Sequence, residues 1–289
     1  MGAASLNILV IGLGQLGKDL LRVMQRSHEI IGIDFPDIDI TSPISIDRLL
    51  EKHRPDLVIN AAAYTDVEAA ESNSDDAYAV NEFGAGNVAR ATASRSIPIL
   101  FYSTDFVFDG FQQSPYSPHD ATNPLSVYGA SKLAGEAATI ESNPDHYILR
   151  TAWLYGPGGN NFIEKVIAWA QANDSIKVVT DESGSPTHTW DLAEISELLI
   201  ESGAFGLYHA VNAGICSRYA LAQAIVDKAG LTVELNKCSS DEFPTKAQRP
   251  AYSVLDSTSL ESACGANMRS WQDALDHYLS RREALIEKG

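Results

Sequence analysis

The sequence predicts an α/β fold in which a doubly wound parallel sheet carries a second, smaller lobe. Through the first half of the chain, short continuous apolar runs alternate with longer amphipathic runs, and a glycine-rich turn follows the first apolar run. Continuous apolar strands separated by helices are typical of parallel sheets that are buried on both faces. Right-handed crossovers make such a sheet doubly wound, which is the Rossmann arrangement.

The elements of the sheet follow in chain order. Unbroken apolar runs predict strands at 7–11, 29–34, 56–60, 97–102 and 146–150. The amphipathic stretches between them predict helices at 15–26, 44–53, 75–94 and 126–142. The last of these helices starts after Asn123-Pro124, where Ser126 is a suitable N-cap.

Beyond residue 151 the alternation becomes irregular, and loops rich in Gly, Pro and Asn interrupt it. The remaining periodic stretches predict helices at 161–173, 190–202, 218–229 and 270–287 and strands at 176–180 and 207–211. We expect residues 1–152 and 190–212 to form a dinucleotide-binding domain. Residues 153–189 and 213–289 would then form a substrate-binding lobe that is interleaved with it.

The composition argues against nucleic-acid and membrane partners. The chain has 289 residues and a net charge of −17, so the phosphates of a nucleic acid would be repelled over most of its surface. No apolar run approaches the roughly 20 residues that span a bilayer, and the start has no basic segment of a signal peptide. Three cysteines without metal-like spacing indicate a reducing compartment, so we expect a cytoplasmic protein.

The glycine turn Gly12-Leu13-Gly14-Gln15-Leu16-Gly17 predicts a dinucleotide site. Glycine allows the backbone to turn tightly and approach a pyrophosphate, and the helix that follows offers free N–H groups to it. Asp34 ends the next predicted strand, where a carboxylate accepts hydrogen bonds from ribose hydroxyls. Asp34 would also repel a 2′-phosphate, which favours NADH over NADPH, although either coenzyme stays open.

Three small residues, Ala61, Ala62 and Ala63, follow the third predicted strand. Small side chains at the carboxyl end of a strand leave room for a dinucleotide to lie across the sheet. Ser103 and Thr104 follow the fourth strand at the same edge, where a ligand crevice is expected. A hydroxyl group there could hold a substrate oxygen.

Tyr128 and Lys132 are four residues apart on a predicted helix, so both side chains lie on one face. A phenol has an ordinary pKa of about 10 and is a poor proton donor or acceptor at neutral pH. An ammonium about 4 Å away interacts with about 4 kcal/mol at an effective dielectric constant of about 20. We therefore expect Lys132 to lower the pKa of Tyr128 by roughly three units, into the range useful for proton transfer.

Together these residues resemble the extended short-chain dehydrogenase/reductase superfamily, and within it the dTDP-4-dehydrorhamnose reductase family. The resemblance covers nearly the whole chain, and the motifs of the second half are its most specific part. The motifs include Asn60-Ala61-Ala62-Ala63-Tyr64-Thr65, Ser103-Thr104-Asp105, Tyr128-Gly129-Ala130-Ser131-Lys132, Arg150-Thr151-Ala152-Trp153, Gly184-Ser185-Pro186-Thr187 and Arg249-Pro250.

The resemblance implies a role for each matching position. Thr104, Tyr128 and Lys132 would be the catalytic set. The dinucleotide would contact Leu13, Gly14, Gln15, Leu16, Asp34, Asp39, Ile40, Ala61, Ala62, Ala63, Thr65, Tyr102, Tyr128 and Lys132. The substrate sugar would contact Thr104, Asp105 and Trp153, and Arg249 could hold the nucleotide phosphates through a bidentate guanidinium.

The chain departs from the family pattern in three places. Phe106 replaces a frequent Tyr, and Ile11 stands where the family usually has the first glycine of its turn. Some members dimerise around a magnesium ion, but of the matching positions Gln15 and Trp190 carry no carboxylate and only Asp191 does. We therefore expect no metal, while a homodimer remains open.

The resemblance implies reduction of the 4-keto group of a nucleotide-linked 6-deoxyhexose, with dTDP-4-dehydro-L-rhamnose going to dTDP-L-rhamnose. One alternative is another nucleotide-sugar reductase or an epimerase of the same superfamily. Another is a non-catalytic regulatory subunit with the same fold. The nucleotide base, the stereochemistry at C4 and the coenzyme are not decided by these residues.

Overall fold

The computed structural model describes residues 5–286, with side chains up to residue 282. Its strands are β1 (Asn7–Ile11), β2 (Glu29–Ile33), β3 (Leu57–Asn60), β4 (Ile99–Thr104), β5 (His146–Thr151), β6 (Leu154–Tyr155), β7 (Ser175–Val179), β8 (Ser183–Gly184), β9 (Thr187–His188), β10 (Gly206–His209), β11 (Cys216–Ser217) and β12 (Glu234–Cys238). Six of them form a central sheet in the order β10-β5-β4-β3-β1-β2. Every pairing in this sheet is parallel, so all the strands end at one edge.

The α-helices are α1 (Gln15–Met24), α2 (Pro43–His53), α3 (Val67–Ala70), α4 (Ser74–Tyr78), α5 (Ala85–Ala93), α6 (Val127–Ser142), α7 (Phe162–Ala172), α8 (Thr189–Ser202), α9 (Arg218–Lys228), α10 (Thr258–Cys264) and α11 (Trp271–Ile286). Helices cover both faces of the sheet. Along β1, Ile8 and Val10 join the core formed with α1 and α8, whereas Leu9 and Ile11 join the core formed with α2 and α5. This alternation confirms the predicted doubly wound parallel sheet.

A third apolar core lies outside the central sheet. It is formed by α7, α9 and α11 together with β7 and β12, which pair in parallel. Two-residue ladders, β6 with β9 and β8 with β11, connect the segments around it. The chain returns from this part to the sheet through α8 and β10, where Tyr208 pairs with Leu149 of β5.

The predicted helix at 75–94 is helical over its length but not uniform. Between α4 and α5 the chain forms a π-helical turn, Ala79–Gly84. This turn directs Asn81 inward, where its side chain accepts from Tyr64 N at 2.9 Å and donates to Ser131 Oγ at 3.0 Å. The π-helical turn therefore ties the loop after β3 to α6, the helix that carries Tyr128 and Lys132.

The α6 helix begins as expected, because Ser126 accepts a hydrogen bond from Gly129 N at 3.2 Å. The sequence analysis did not predict the short elements α3, α10, β6, β8, β9 and β11, nor the five-residue strand β12.

Within residues 5–286, no helix combines the length and the apolar character required to cross a membrane.

Candidate active site

The glycine turn between β1 and α1 is built so that Gly14 faces open space. Gly12 has φ +95°, and a Cβ added to it would lie 2.5 Å from Ala62 N, so only glycine fits there. Gly17 is equally constrained, by the carbonyl of Gly12. In contrast, a Cβ on Gly14 would meet no atom within 4 Å. The turn therefore begins at Gly12 rather than at Ile11, and its open side is at the N-terminus of α1.

Two adjoining cavities of about 330 and 460 Å³ follow the carboxyl edge of the sheet. They share Gly14, Ala61, Ala62, Ala63 and Thr65. The smaller one, called here the coenzyme cavity, is also lined by Asp34, Asp39 and Ile40. The larger one, called here the reaction cavity, is also lined by Gln15, Leu16, Tyr102, Thr104, Asp105, Tyr128, Lys132, Trp153 and Arg249.

These linings bring together every predicted site residue except Leu13. The side chain of Leu13 packs instead against the core below α1, and a Cβ on Gly32 would meet its Cδ2 at 2.7 Å. Leu13 is half-buried, and its backbone remains part of the turn. Its assignment to the dinucleotide stays a prediction.

Acidic side chains border the coenzyme cavity. Asp34 is exposed, and its Oδ1 accepts from Phe35 N at 2.9 Å. Asp39 Oδ1 accepts from Thr41 N at 2.9 Å and from Thr41 Oγ1 at 2.7 Å. Among the described residues that line this cavity there is no Lys or Arg. The cavity therefore offers hydrogen-bond acceptors and no cation for an added phosphate.

In the reaction cavity, the hydroxyl group of Thr104 lies close enough to Tyr128 to affect the pKa of the phenol. The ring of Phe106 meets the Tyr128 ring edge to face, with the centroids 5.5 Å apart. Burial raises the pKa of Tyr128 to about 12, Thr104 lowers it in part, and the charge of Asp105 raises it further. The expected lowering by Lys132 is therefore wrong for this structure, because burial disfavours the phenolate and, among the described residues, Thr104 rather than Lys132 opposes that effect.

Lys132 is buried and its Nζ donates to the carbonyl oxygen of Tyr102 at 2.6 Å. The ammonium also lies 4.1 Å from the centroid of the Phe101 ring. Burial lowers the pKa of Lys132 to about 7, and Glu136, one helical turn away, raises it in part. Glu136 is itself held by Arg150 through two hydrogen bonds of 2.7 and 2.8 Å.

Asp105 is buried beside this set. Its Oδ1 accepts from Thr104 Oγ1 at 3.0 Å, whereas its Oδ2 has no protein partner within the described residues. Burial raises the pKa of Asp105 to about 6, and the nearby Ser253 lowers it in part. A buried carboxylate oxygen without a partner is a position at which a substrate hydroxyl could donate.

Trp153 is held in place by residues far from it in the sequence. Its backbone has φ +47°, and its ring lies where a Cβ on Gly184 would be, 2.5 Å from Cε2. The guanidinium of Arg218 lies over the ring, 3.5 Å from its centroid. Arg218 also lines the reaction cavity. Gly184 and Arg218 therefore determine the position of a residue that the sequence assigned to the sugar.

Arg249 reaches the reaction cavity, as predicted, but its guanidinium is already paired. Its Nη2 is 2.6 Å from Glu68 Oε1, and its Nη1 donates to Ala247 O at 3.3 Å. This pairing bridges the second half of the chain to α3. A phosphate would have to share Arg249 with Glu68.

Asp191, the one acidic residue at the positions that match the magnesium site of some relatives, is paired with other side chains of this chain. Arg269 Nη2 lies 3.0 Å from Asp191 Oδ1, and Asn212 donates to its other oxygen at 2.7 Å. His188 and His277 approach the same carboxylate, with potential ligand atoms within 4.8 Å of one another. Because Arg269 already neutralises Asp191, the expectation of no metal is unchanged, and it stays a prediction.

Arg218, Gly184 and Glu136 are site-building residues that the sequence analysis did not single out. Arg218 follows a Ser at the start of a helix, which is an ordinary position for a surface Arg. The available signals were the motif Gly184-Ser185-Pro186-Thr187, quoted above, and the position of Glu136 four residues after Lys132. Neither signal states which side chain its residue contacts.

A parallel sheet with a glycine turn at its ligand edge, next to a buried Thr/Tyr/Lys set, is the arrangement of nicotinamide-dependent oxidoreductases of the extended short-chain dehydrogenase/reductase superfamily. We assign the chain to that class on its fold and cavity geometry.

Comparison with known proteins narrows the class. The family model described as the RmlD substrate binding domain matches residues 6–284. A dTDP-4-dehydrorhamnose reductase of Aggregatibacter actinomycetemcomitans is 37% identical over 93% of this chain and 96% of its own length. A dTDP-4-keto-6-deoxy-D-glucose reductase of Streptomyces niveus is 37% identical over 91% of this chain and 92% of its own length.

A solved structure agrees with these sequence relatives. The dTDP-4-dehydrorhamnose reductase of Bacillus anthracis, crystallised in complex with NADP, superposes with a TM-score of 0.93 at 35% identity. The match covers 96% of this chain and 99% of that one. The chain therefore belongs to the dTDP-4-dehydrorhamnose reductase family, as the sequence motifs indicated.

Proposed function

We propose that this protein reduces the 4-keto group of a nucleotide-linked 6-deoxyhexose, converting dTDP-4-dehydro-L-rhamnose to dTDP-L-rhamnose with NADH or NADPH. The observation that carries the proposal is the placement of Thr104 beside Tyr128 in the cavity that Gly14 and Lys132 also line. The names of the relatives supply the substrate class.

The residues present fit a nicotinamide dinucleotide. Gly14 leaves room for close approach of a pyrophosphate, and no side chain of the described residues caps the N-terminus of α1, so its N–H groups can bind the phosphates. Asp34 and Asp39 would hold the adenosine ribose, and Ala61, Ala62 and Ala63 would lie beneath the coenzyme. When bound, the reduced coenzyme supplies hydride to C4 of the sugar.

Tyr128 would deliver the proton to the ketone oxygen. The raised pKa keeps the phenol protonated at neutral pH, so the proton is present when negative charge develops on that oxygen. Thr104 would hydrogen-bond the same oxygen and hold it against Tyr128. Lys132, fixed by the Tyr102 carbonyl, would stabilise the phenolate that remains and hold the nicotinamide ribose.

The substrate would lie in the half of the cleft formed by residues 153–189 and 213–289. Trp153 and Asp105 would contact the sugar, and Asp105 Oδ2 is free to accept from a hydroxyl. Arg249, the sequence-based candidate for the nucleotide phosphates, lines the same cavity with its guanidinium paired to Glu68. Binding energy from the nucleotide would orient C4 toward the hydride.

Coenzyme choice depends on Asp34. A carboxylate at this position, in a cavity without a lining cation, favours NADH in this chain. The Bacillus anthracis relative, however, was solved with NADP. We propose that both coenzymes are accepted, with NADH preferred.

The Streptomyces niveus relative supports a second candidate, reduction of dTDP-4-keto-6-deoxy-D-glucose. The two substrates differ in ring stereochemistry and share the ketone and the nucleotide. The same Thr/Tyr/Lys set serves both, so product analysis is needed to choose between them. A homodimer, a cytoplasmic location and the lack of nucleic-acid partners stay predictions from the sequence.

The decisive experiment follows loss of the absorbance of NADH or NADPH with each 4-keto sugar, with the product identified by NMR. Tyr128→Phe should lower turnover by about 10²-fold or more, because the proton donor is lost while the ring and its contact with Phe106 remain. Coenzyme affinity should stay within about twofold of wild type.

Tyr219→Phe is the matched control, since that hydroxyl donates to Leu235 O outside the cavity. It should retain full turnover. Near-normal turnover by Tyr128→Phe would reject the assigned role, and no oxidation of either coenzyme with either sugar would reject the reductase.

A further inference from the structure

We propose that Arg218, rather than Arg249, is the residue that binds the diphosphate of the nucleotide sugar through a bidentate guanidinium. The inference rests on the proposed function, since it names the side chain that recognises the diphosphate of that substrate class. The contacts of Arg218 in the reaction cavity support this assignment, and no local sequence pattern indicated the residue.

The terminal amino groups of Arg218 are available. Its Nε donates to Glu182 Oε2 at 3.3 Å, and among the described residues neither of its Nη groups has a protein acceptor. The side chain is 18% exposed and lines the reaction cavity. Within the described residues, neither Nη group is among the fully buried polar atoms that lack a partner, so both remain accessible.

The remaining contacts of Arg218 hold the guanidinium in one orientation. One face lies over the Trp153 ring at 3.5 Å, and the Phe162 ring is 5.1 Å away. Its backbone is fixed as well, because Arg218 N donates to Glu182 O and Ser217 caps α9. Stacking uses the face of a guanidinium and leaves the N–H groups in its plane free to donate. The two Nη groups are therefore presented for paired phosphate oxygens.

Arg249 differs in this respect, because both of its Nη groups already donate, to Glu68 and to Ala247. The charges of the two guanidiniums oppose each other, and Arg249 together with burial lowers the pKa of Arg218. An anion of two or more charges placed near both would relieve this repulsion. In a chain with a net charge of −17, two arginines lining one cavity are a local exception that suits a diphosphate.

Two carboxylates also face Arg218 and must be considered. Glu182 and Asp105 both raise its pKa, and Glu182 forms the hydrogen bond to Nε. Asp105 forms no hydrogen bond with Arg218 among the described residues, so its charge acts on the guanidinium without occupying an N–H group. Neither carboxylate therefore occupies the two Nη groups.

The test uses the full-length enzyme and calorimetric titration with dTDP and with thymidine. Arg218→Met should weaken dTDP about 10- to 100-fold, the usual scale for hydrogen bonds to a charged group, and leave thymidine within about twofold. Arg218→Lys, which keeps the charge without the fork, should recover only part of the dTDP affinity. In turnover, KM for the sugar nucleotide should rise while kcat changes by less than about threefold.

Arg249→Met is the matched comparison, and we expect it to weaken dTDP less than Arg218→Met does. Melting temperature and NADH affinity report whether each variant is folded. Equal losses for dTDP and thymidine would mean that Arg218 only supports Trp153, and would overturn the proposal. A larger loss with Arg249→Met, or wild-type enzyme that binds dTDP no better than thymidine, would also overturn it.

Failure of the proposed function gives a different result. If the wild-type enzyme reduces neither 4-keto sugar but binds a nucleoside diphosphate, such as dTDP or UDP, in a manner that requires Arg218, the reductase proposal fails and the diphosphate assignment stands. If it reduces the sugars and the Arg218→Met variant binds dTDP normally, the reductase proposal stands and the diphosphate assignment fails.

Discussion

The two cavities of the cleft are bordered by different kinds of group. The coenzyme cavity is bordered largely by backbone and small side chains, with Gly12, Gly14 and Ala61 to Ala63 setting its shape. The proposed substrate side of the reaction cavity is bordered by charged and aromatic side chains, and distant residues hold them: Arg249 with Glu68, Arg218 with Glu182, and Trp153 with Gly184.

This difference shows why one half is easier to foresee than the other. A backbone-lined cavity requires particular residues at adjacent positions, so its requirements are local. A cavity lined by paired side chains requires contacts between segments up to 181 residues apart, as for Arg249 and Glu68. The comparison predicts that substitutions in the two halves affect different ligands.

The largest effect is expected at the glycine turn. Gly12→Ala combines an unfavourable φ with a collision against Ala62, so the free energy of unfolding should fall by about 3 kcal/mol or more. Gly14→Ala has φ −64° and no near neighbour, so its stability should stay within about 1 kcal/mol of wild type. The added methyl group should nevertheless weaken NADH and NADPH at least about tenfold, since it stands where the pyrophosphate approaches.

Urea unfolding and coenzyme titration measure both quantities. A Gly12→Ala variant as stable as wild type would contradict the role given to the left-handed turn. Unchanged coenzyme affinity in Gly14→Ala would contradict the placement of the pyrophosphate.

The next largest effect is expected at Lys132, which lines the reaction cavity. Its pKa of about 7 in the folded protein lies below that of an unfolded lysine, so the unfolded chain binds the proton more tightly. The buried ammonium therefore destabilises the fold fully below about pH 7, and this cost disappears as the pH rises toward about 10. Without coenzyme, Lys132→Met should be more stable than wild type by about 2 kcal/mol near neutral pH, and the gain should shrink at higher pH.

The measurement is urea unfolding at several pH values, and turnover of the same variant should fall by about 10²-fold or more. Lys52→Met, at an exposed position of α2, is the control and should change stability by less than about 0.5 kcal/mol at every pH. A Lys132→Met variant that is less stable near neutral pH would show that the hydrogen bond to Tyr102 outweighs the cost of burial.

The smallest effect is expected at Gly184. A methyl group there would displace the Trp153 ring, so KM for the sugar nucleotide should rise about tenfold while coenzyme affinity stays unchanged. Steady-state kinetics with the sugar or the coenzyme varied in turn measure the two constants. Gly14→Ala should therefore weaken coenzyme binding, whereas Gly184→Ala should weaken binding of the sugar nucleotide. Weaker coenzyme binding in Gly184→Ala would refute this separation of the two cavities.

The sheet could be predicted because each strand and helix repeats its own pattern over several residues. The strands β6, β8, β9 and β11 have only two residues each and carry no such pattern. The five-residue strand β12 was missed because Glu234–Cys238 mixes polar and apolar residues at the edge of the second part. The π-helical turn Ala79–Gly84 was predicted as helix, since its sequence has ordinary helical spacing.

The positions of the site residues could be predicted from the sequence more readily than their pKa values. The spacing of Tyr128 and Lys132 correctly placed both in one cavity, but it could not show that burial would dominate the pKa of each. Arg249 was placed in the cavity on its motif, yet its partner Glu68 lies in a helix that had not been predicted. Arg218 was missed because stacking on Trp153 exists only in three dimensions.

The path of the chain has a consequence for how such enzymes can be recombined. After the segment that begins at Trp153, α8 and β10 return to the central sheet before the chain leaves it again. The proposed substrate-binding lobe, residues 153–189 and 213–289, therefore could not be exchanged between relatives as one continuous segment. Hybrids that change substrate would need two coordinated crossovers around α8 and β10, or else point changes at residues such as Arg218 and Gly184.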